Sequence, residues 1–479
     1  MNLSLLKSSV IERFQVPGQT ASGSASEGWF FLKGDEVQVK KLGLQAVIRG
    51  LQKNPEAFFL YSDHDFIDAQ ERVSFTMCQP AWSLEHLRSK NYIGSAFAVR
   101  ADYTARVFGV SEGDVASALT AEVSKCGWHD LILRLTERLK ENQICHLDEV
   151  LFHLPSDWRW NMPARMETSV LAVQAHLDRL GVTATAESQL GARELCRVRY
   201  HLPANPPLVS IIIPTKDQVE LLRRCVESIL EKSTYPNFEI LVVDNASVHP
   251  EMVHYQEILR GEKKVRVLRY EKPFNFSAIN NDAAREARGE IICLLNDDTE
   301  VISADWLETM VGHLIQPGVG VVGVKLLFPN GTVQHGGDAV GPRGAADHLH
   351  SGIRADEPGY ADRAVVAQDL SAVTGACLMT HKDLYERLGG LDELNLPIAY
   401  NDVDYCLRVR EGGHHVLWTP HALLTHHELS TRGKNRSLAS WIQLWKEKRV
   451  FRKRWQIGKR YDPFYGKQFN QKKADFVVR

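Results

Sequence analysis

At 479 residues the chain exceeds what one ordinary hydrophobic core supports, so two or more domains are expected. Hydrophobic residues make up 44% and charged residues 24%, the balance of a globular protein, and a net charge of −2 leaves no global pull toward nucleic acid, so no nucleic-acid partner is expected. The eight cysteines form no C-x-x-C pair and read as reduced core residues of a cytoplasmic protein; no apolar run reaches the roughly 18 residues of a membrane span, so membrane contact would be peripheral.

Residues 1–28 end in the Gly/Ser/Ala-rich piece TASGSASEG and read as a flexible arm. Strand patterns follow at Trp29 to Leu32 and Ala57 to Tyr61, around a helical pattern from Val39 to Gln52. Asp63 and Asp65, just beyond, read as an exposed turn, with a ligand role as the sharper alternative.

The text NYIGSAFAVRADYTARVFGV, then WHDLILRLTERL, then ICHLDEVLFHLP has a later counterpart in AVTGACLMTHKDLYERLGGL, YNDVDYCLRVREGG and ALLTHHELS. In both, a glycine-centred apolar strand precedes an Asp that opens a helix, and a strand ending in His closes the set. Asp130 and His153 match Asp402 and His426, which suggests an internal duplication whose first copy, 29–160, is partial. Pairing Glu36 and Val37 with Glu300 and Val301 puts Lys33 and Gly34 where the second copy has Asp297 and Asp298, so the first copy is expected to be inert.

Residues 161–205 read as a helical linker, with a helix from Met166 to Leu180 and the Pro-rich HLPANPPL, and a second domain is expected over 206–436. Strand Val209 to Ile213, loop Pro214 to Asp217, helix Val219 to Glu231 and strand Glu239 to Val243 follow in turn, the last ending in Asp244. This is a doubly wound nucleotide-binding pattern, and the absence of G-x-G-x-x-G after the first strand argues against a dinucleotide. A helix from Ala278 to Arg288 carries Asn280 and Asn281 and leads into IICLLNDDTEV. Five apolar residues suit a strand buried on both faces, and Asn296, Asp297 and Asp298 then stand at its carboxyl end, where open α/β sheets hold ligands. Adjacent carboxylates repel unless a cation or basic group lies between them, and oxygen ligands favour Mg²⁺ or Mn²⁺; a solvated Asx turn is the plainer alternative. The tail, 437–479, is basic and Trp-containing. It reads as a helix packing its Trp residues on the domain, with peripheral membrane contact as the alternative.

PLVSIIIPTKD, VVDNAS, LLNDDTEV, VTGACLM, GGLDE, NDVDYCLR and HHELSTRG stand in order over about 225 residues. Together they resemble the family 2 glycosyltransferases of the glycosyltransferase-A fold, especially rhamnosyltransferase-like enzymes of surface-polysaccharide assembly. The resemblance implies an α/β fold and inverting transfer of a sugar from a nucleotide-diphosphate sugar to a glycan or lipid-linked glycan acceptor, with a divalent metal. It implies nucleoside contacts at Thr215, Asp217 and Asp244, with Asn281, Asn296 and Asp297 lining the donor site. Metal ligation falls to Asp298 and to His426, beside His427; the catalytic base is Asp402, and Arg432 closes on the diphosphate. Its place at a helix start is expected to keep Asp402 ionised, and Asp404, on another side of that helix, is read as structural. The rival reading is a non-catalytic carbohydrate-binding or scaffold subunit on the same fold. A sugar-nucleotide pyrophosphorylase would call for a glycine-rich, basic phosphate loop, which PTKDQ is not.

Overall fold

The computed structural model describes residues 10–16, 28–34, 36–156, 166–189, 195–428 and 438–479. The chain divides into two compact units between residues 199 and 200.

The first unit contains β1 (Val10–Gln15), β2 (Gly28–Lys33), β3 (Gln38–Val39), α1 (Gly43–Lys53), β4 (Phe59–Ile67), β5 (Val73–Met77), α2 (Leu84–Ser89), β6 (Ala96–Arg100), α3 (Ala101–Phe108), α4 (Val115–Thr136), β7 (Ile144–Pro155) and α5 (Met166–Arg179). A small ladder of β8 (Ala184–Ser188) and β9 (Cys196–Tyr200) follows. The sheet order is β1-β2-β6-β4-β7-β3, with β5 beside β4; β4 and β7 run parallel and the other pairs antiparallel. Val10–Gln15, assigned to the arm by sequence, is thus a paired edge strand. Asp63 and Asp65 are not in an exposed turn. They lie inside β4 and are buried, and Asp63 is held by His146 Nε2 at 2.9 Å and the Gln79 amide at 2.8 Å.

The second unit contains β10 (Val209–Thr215), α6 (Val219–Lys232), β11 (Phe238–Asp244), α7 (Pro250–Arg260), β12 (Val265–Arg269), α8 (Phe276–Glu286), β13 (Ile291–Leu295), β14 (Thr299–Val301), α9 (Trp306–Leu314), β15 (Val319–Leu327), β16 (Val333–His335), β17 (Asp338–Val340), β18 (Ala346–His348), β19 (Gln368–Asp369), β20 (Cys377–His381), α10 (Lys382–Arg387), α11 (Asn401–Glu411), β21 (His415–His426) and α12 (Leu438–Arg454). Its main sheet runs β12-β11-β10-β13-β20-β15-β21-β14, the first four strands parallel. The run Ile291–Leu295 is buried at every position, as five consecutive apolar residues require. Gly289, at its entrance, lies where a Cβ would sit 2.4 Å from Leu208 O, so the chain can enter the strand only with glycine there.

Within each unit the strands repeat one pattern. The order β2-β6-β4-β7-β3 with β5 on β4 matches β13-β20-β15-β21-β14 with β16 on β15, including which pairs are parallel. Backbone bonds set the register: Gly34 N donates to Ser95 O at 2.9 Å, as Asn296 N does to Ala376 O at 3.0 Å. Gly34 therefore stands at the place of Asn296, not of Asp298, and Glu36 takes the place of Asp298, bonded to Ser95 Oγ at 3.0 Å. The side-chain clamps shift the helix register similarly. Asp130 bonds Arg134 and Arg179, as Asp404 bonds Arg408 and Arg454. Asp130 thus corresponds to Asp404 rather than Asp402, and Trp128 stands where Asp402 does. Through Arg179, α5 belongs to the first unit rather than to a linker, and through Arg454 the tail helix α12 is built into the second.

None of the eight cysteines is disulfide-bonded. Among the described residues no helix is long and apolar enough to cross a membrane.

Candidate active site

The parallel half of the second sheet delivers Thr215, Asp244 and Asn296 to Asp298 to its carboxyl rim, because β10, β11 and β13 end together in parallel register. Thr215 Oγ donates to Asp297 Oδ2 at 2.7 Å, tying the first strand end to the acidic motif. Burial pushes the Asp297 carboxyl up to about 7, the neighbouring Asp298 charge acting in the same direction against the Thr215 bond.

Antiparallel pairing of β14 with β21 sets Thr299 opposite His426 and brings that histidine to the motif. Gln334, the residue before the end of β16, orients it. The Gln334 amide donates to Glu428 Oε2 at 3.0 Å, so its carbonyl oxygen accepts from His426 Nδ1 at 2.6 Å. The other ring nitrogen, Nε2, which with Nδ1 donating is an acceptor, faces Asp298 Oδ1 at 2.9 Å and lies 3.4 Å from the Asn296 amide nitrogen. Two acceptors at that distance need a cation or a second proton between them. This donor set, one imidazole nitrogen with carboxylate oxygen, fits a divalent ion such as Mn²⁺. His427 turns elsewhere, to Glu300 Oε2 at 3.0 Å, which separates the roles of the two histidines.

Asp402 opens α11 after Tyr400, whose φ of 61° makes a left-handed entry. Its Oδ2 accepts from Gly375 N at 2.7 Å and its Oδ1 from Val403 N at 2.8 Å. Each oxygen keeps a second lone pair for a proton. Because Ala376, next to Gly375, accepts from Asn296 N, two consecutive residues join the base candidate to the acidic motif. A Cβ at Gly375 would lie 3.3 Å from Asp402 Cβ, so a larger residue there would press on the carboxylate. The ionised state expected from the helix start is opposed: burial, with the Asp338 charge, raises the Asp402 pKa despite two amides and His348. Asp404 is buried and bound by Arg408, Arg454 and the Trp455 indole, as a structural residue would be.

Asp217, at φ 52°, accepts from the amides of Val248 and His249 at 2.8 and 2.9 Å, which pins the loop after β11. With Arg224, His249 and His427 it lines a groove of about 450 Å³. Asp244 is completely buried, paired with Arg269 and accepting from Ser247 N at 3.1 Å, so it reaches a ligand only if Arg269 moves aside. Asn281 does not face the rim groups. Its amide bonds Leu391 O and Glu393, and its oxygen accepts from Leu391 N and the Tyr385 hydroxyl, a structural use that holds the loop after α10. Arg432 lies outside the described residues.

A further cluster escaped sequence reasoning. His335, Asp338 and His348 converge, with His348 Nδ1 at 2.6 Å from Asp338 Oδ1 and 3.0 Å from His335 Nδ1. Among the described residues it is the group of three or more ligand-type side chains placed to hold a metal ion. The Asp338 charge and hydrogen bond outweigh desolvation and drive His348, a partly exposed histidine, up to about 9, and burial drives His335 down to about 3. The cluster adjoins the base candidate, since Thr374 N donates to His335 Nε2 at 3.3 Å and the next amide, Gly375, to Asp402. The signal in the sequence was QHGGD followed by DHLH, a histidine-acid spacing without a strand to place it.

A sequence model of the family described as Glycosyl transferase family 2 matches residues 210–389, which span the parallel strands, the acidic motif and the strand before α10. This match to glycosyltransferase family 2 lies wholly within the second unit. The chain is similar to O-antigen biosynthesis protein RfbC of Myxococcus xanthus, 34% identical over 480 residues, covering 96% of this chain and 36% of that protein. It is also similar to uncharacterized protein y4gI of Sinorhizobium fredii, 35% identical over 449 residues, covering 91% of this chain and 48% of that one. The chain thus spans half or less of the length of these relatives. Among solved structures, the mannosyltransferase PcManGT of Pyrobaculum calidifontis, in complex with GDP-Man and Mn²⁺, is similar at 19% identity over 55% of this chain and 68% of that one, with a TM-score of 0.39.

Proposed function

We propose that this glycosyltransferase unit moves a sugar, with inversion, from a nucleotide-diphosphate sugar to a hydroxyl of a growing surface glycan or lipid-linked glycan. The observation that carries the reading is the Asp298–His426 pair, whose oxygen and nitrogen face each other as a divalent ion's ligands would, joined through two residues to Asp402. Asp402 takes the proton of the acceptor hydroxyl as its oxygen attacks the anomeric carbon. The bond to the diphosphate breaks, and the nucleoside diphosphate leaves with the electron pair. A raised pKa suits that task, because a base nearer the working pH accepts a proton more readily in the transition state. Asp298 and His426 would hold the divalent ion, which neutralises charge on the departing diphosphate. Thr215 and Asp217 line the nucleoside side, with Asn296 and Asp297 beneath the diphosphate; Asp244 joins them if Arg269 is displaced.

The similarity to an O-antigen biosynthesis protein supports the acceptor class. We also infer that the first unit is a partial copy of the same fold. Among its described residues there is no counterpart of the parallel strands β10 to β12, and Trp128 stands where the base does, so it is inert in transfer. A thermal-shift panel of nucleotide diphosphates and nucleotide sugars, with and without Mn²⁺, tests the donor assignment. A donor at a hundredfold excess over its Kd stabilises by about 2.7 kcal/mol, and the absence of any Mn²⁺-dependent shift would overturn it.

A further inference from the structure

Helix α12 presents two unlike faces. At 447, 451 and 454, one stripe of the helix, Glu447 accepts from the amides of Ile398 and Ala399 at 3.2 and 2.6 Å, Phe451 stacks on Tyr400 at 5.2 Å, and Arg454 reaches Asp404 and Asp392. Glu447 and Phe451 are fully buried. On the other side Trp441, Ile442 and Trp445 are 58%, 46% and 61% exposed, so the expectation that the tail packs its Trp residues on the domain fails for these two tryptophans, whereas Trp455, beyond the helix, does bond Asp404. The same helix carries Lys446, Lys448, Arg449, Arg452 and Lys453, and its single acid, Glu447, is turned inward. Arg449 lies over the Trp445 ring at 5.6 Å. The loop that Glu447 and Arg454 clamp adds Leu394, 86% exposed, and Ile398, 38% exposed.

Exposed indoles and aliphatic side chains beside basic groups, with no outward acid on the helix, match one environment, the boundary between lipid headgroups and acyl chains at an anionic surface. A nucleic acid would leave the aliphatic groups without a role, and plain solvent would leave two indoles more than half exposed on one helix face. We propose that the outer face of α12, with the 394–398 loop, docks peripherally on an anionic bilayer. Trp441, Ile442 and Trp445 enter at headgroup level and Arg449 and Arg452 meet lipid phosphates. This face is independent of the catalytic assignment, since vesicle binding is read without donor or acceptor.

The test is sedimentation of the full chain with phosphatidylcholine vesicles lacking or containing phosphatidylglycerol, at low and high salt, alongside tryptophan emission. Wild type is expected to sediment with the anionic vesicles and shift its emission to the blue, and to stay in solution with neutral ones. W441S/W445S and R449E/R452E, both at exposed positions and checked for unchanged melting, are each expected to weaken binding at least about tenfold. The milder I442S guards against a misfolded double variant and is expected to weaken binding less. Absence of wild-type binding to anionic vesicles, or binding unchanged in both double variants, overturns the proposal. So does a wild-type dimer that W441S/W445S converts to monomer, because a second copy would then cover the face.

Discussion

Asp297→Asn tests the electrostatics of the acidic motif without touching the proposed metal ligands. With its carboxyl raised from 3.8 to about 7, the folded protein holds a proton there that the unfolded chain has released, across the interval from about pH 4 to 7. Folding stability therefore falls as pH rises through that interval and is flat above it. The rise from 3.8 to about 7 corresponds to about 4 kcal/mol, and because Asp297 is only half-buried about half of it, near 2 kcal/mol, is expected. Asparagine carries no charge and still accepts from Thr215 Oγ through its amide oxygen. Urea unfolding in EDTA should show Asp297→Asn more stable than wild type by about 2 kcal/mol at pH 8 and within about 0.5 kcal/mol of it at pH 4. Saturating Mn²⁺ with nucleotide should close the gap at pH 8 by stabilising wild type. A variant less stable than wild type at pH 8, or a difference that does not change with pH, would refute the reasoning.

Asp298→Ala should abolish Mn²⁺-dependent nucleotide binding in calorimetry, and unchanged affinity would remove Asp298 from the metal shell. Gln334→Leu takes away the acceptor that fixes His426; it should weaken Mn²⁺ affinity by about 10- to 100-fold in the same experiment, as loss of an outer-shell partner does. Glu36→Gln, in the first unit, should leave turnover within about twofold if that unit is inert, so a large loss in a steady-state assay would assign it a catalytic part. Asp404→Ala removes the buried carboxylate that Arg408 and Arg454 share and should cost about 3–5 kcal/mol in denaturant unfolding, and a loss below about 1 kcal/mol would contradict a clamp there.

Much of the second unit was legible because its cues are local. An apolar run that stops at Asn296 announces a buried strand and its rim, and an Asp at a helix start announces α11. What the sequence hid depends on distant partners. Nothing near Asp244 foretells Arg269, and nothing near Asn281 foretells that Tyr385 and Leu391 use its bonds. His335, Asp338 and His348 meet only because β17 and β18 fold back as a hairpin. The pKa of Asp402 was misjudged in direction because burial and Asp338 outweigh the helix end. The register expected between the two units slipped because Glu36-Val37 imitates Glu300-Val301 in letters, whereas the backbone bonds put Gly34 in the position of Asn296.

The most direct test of the account is Asp402→Asn, assayed for both turnover and donor affinity. The change keeps the side chain's shape and removes its proton acceptor, so turnover should fall by about 10² to 10⁴ while the Kd for the nucleotide sugar with Mn²⁺ stays within a few-fold of wild type. Near-normal turnover, or a product of retained anomeric configuration from the wild-type enzyme, would contradict it.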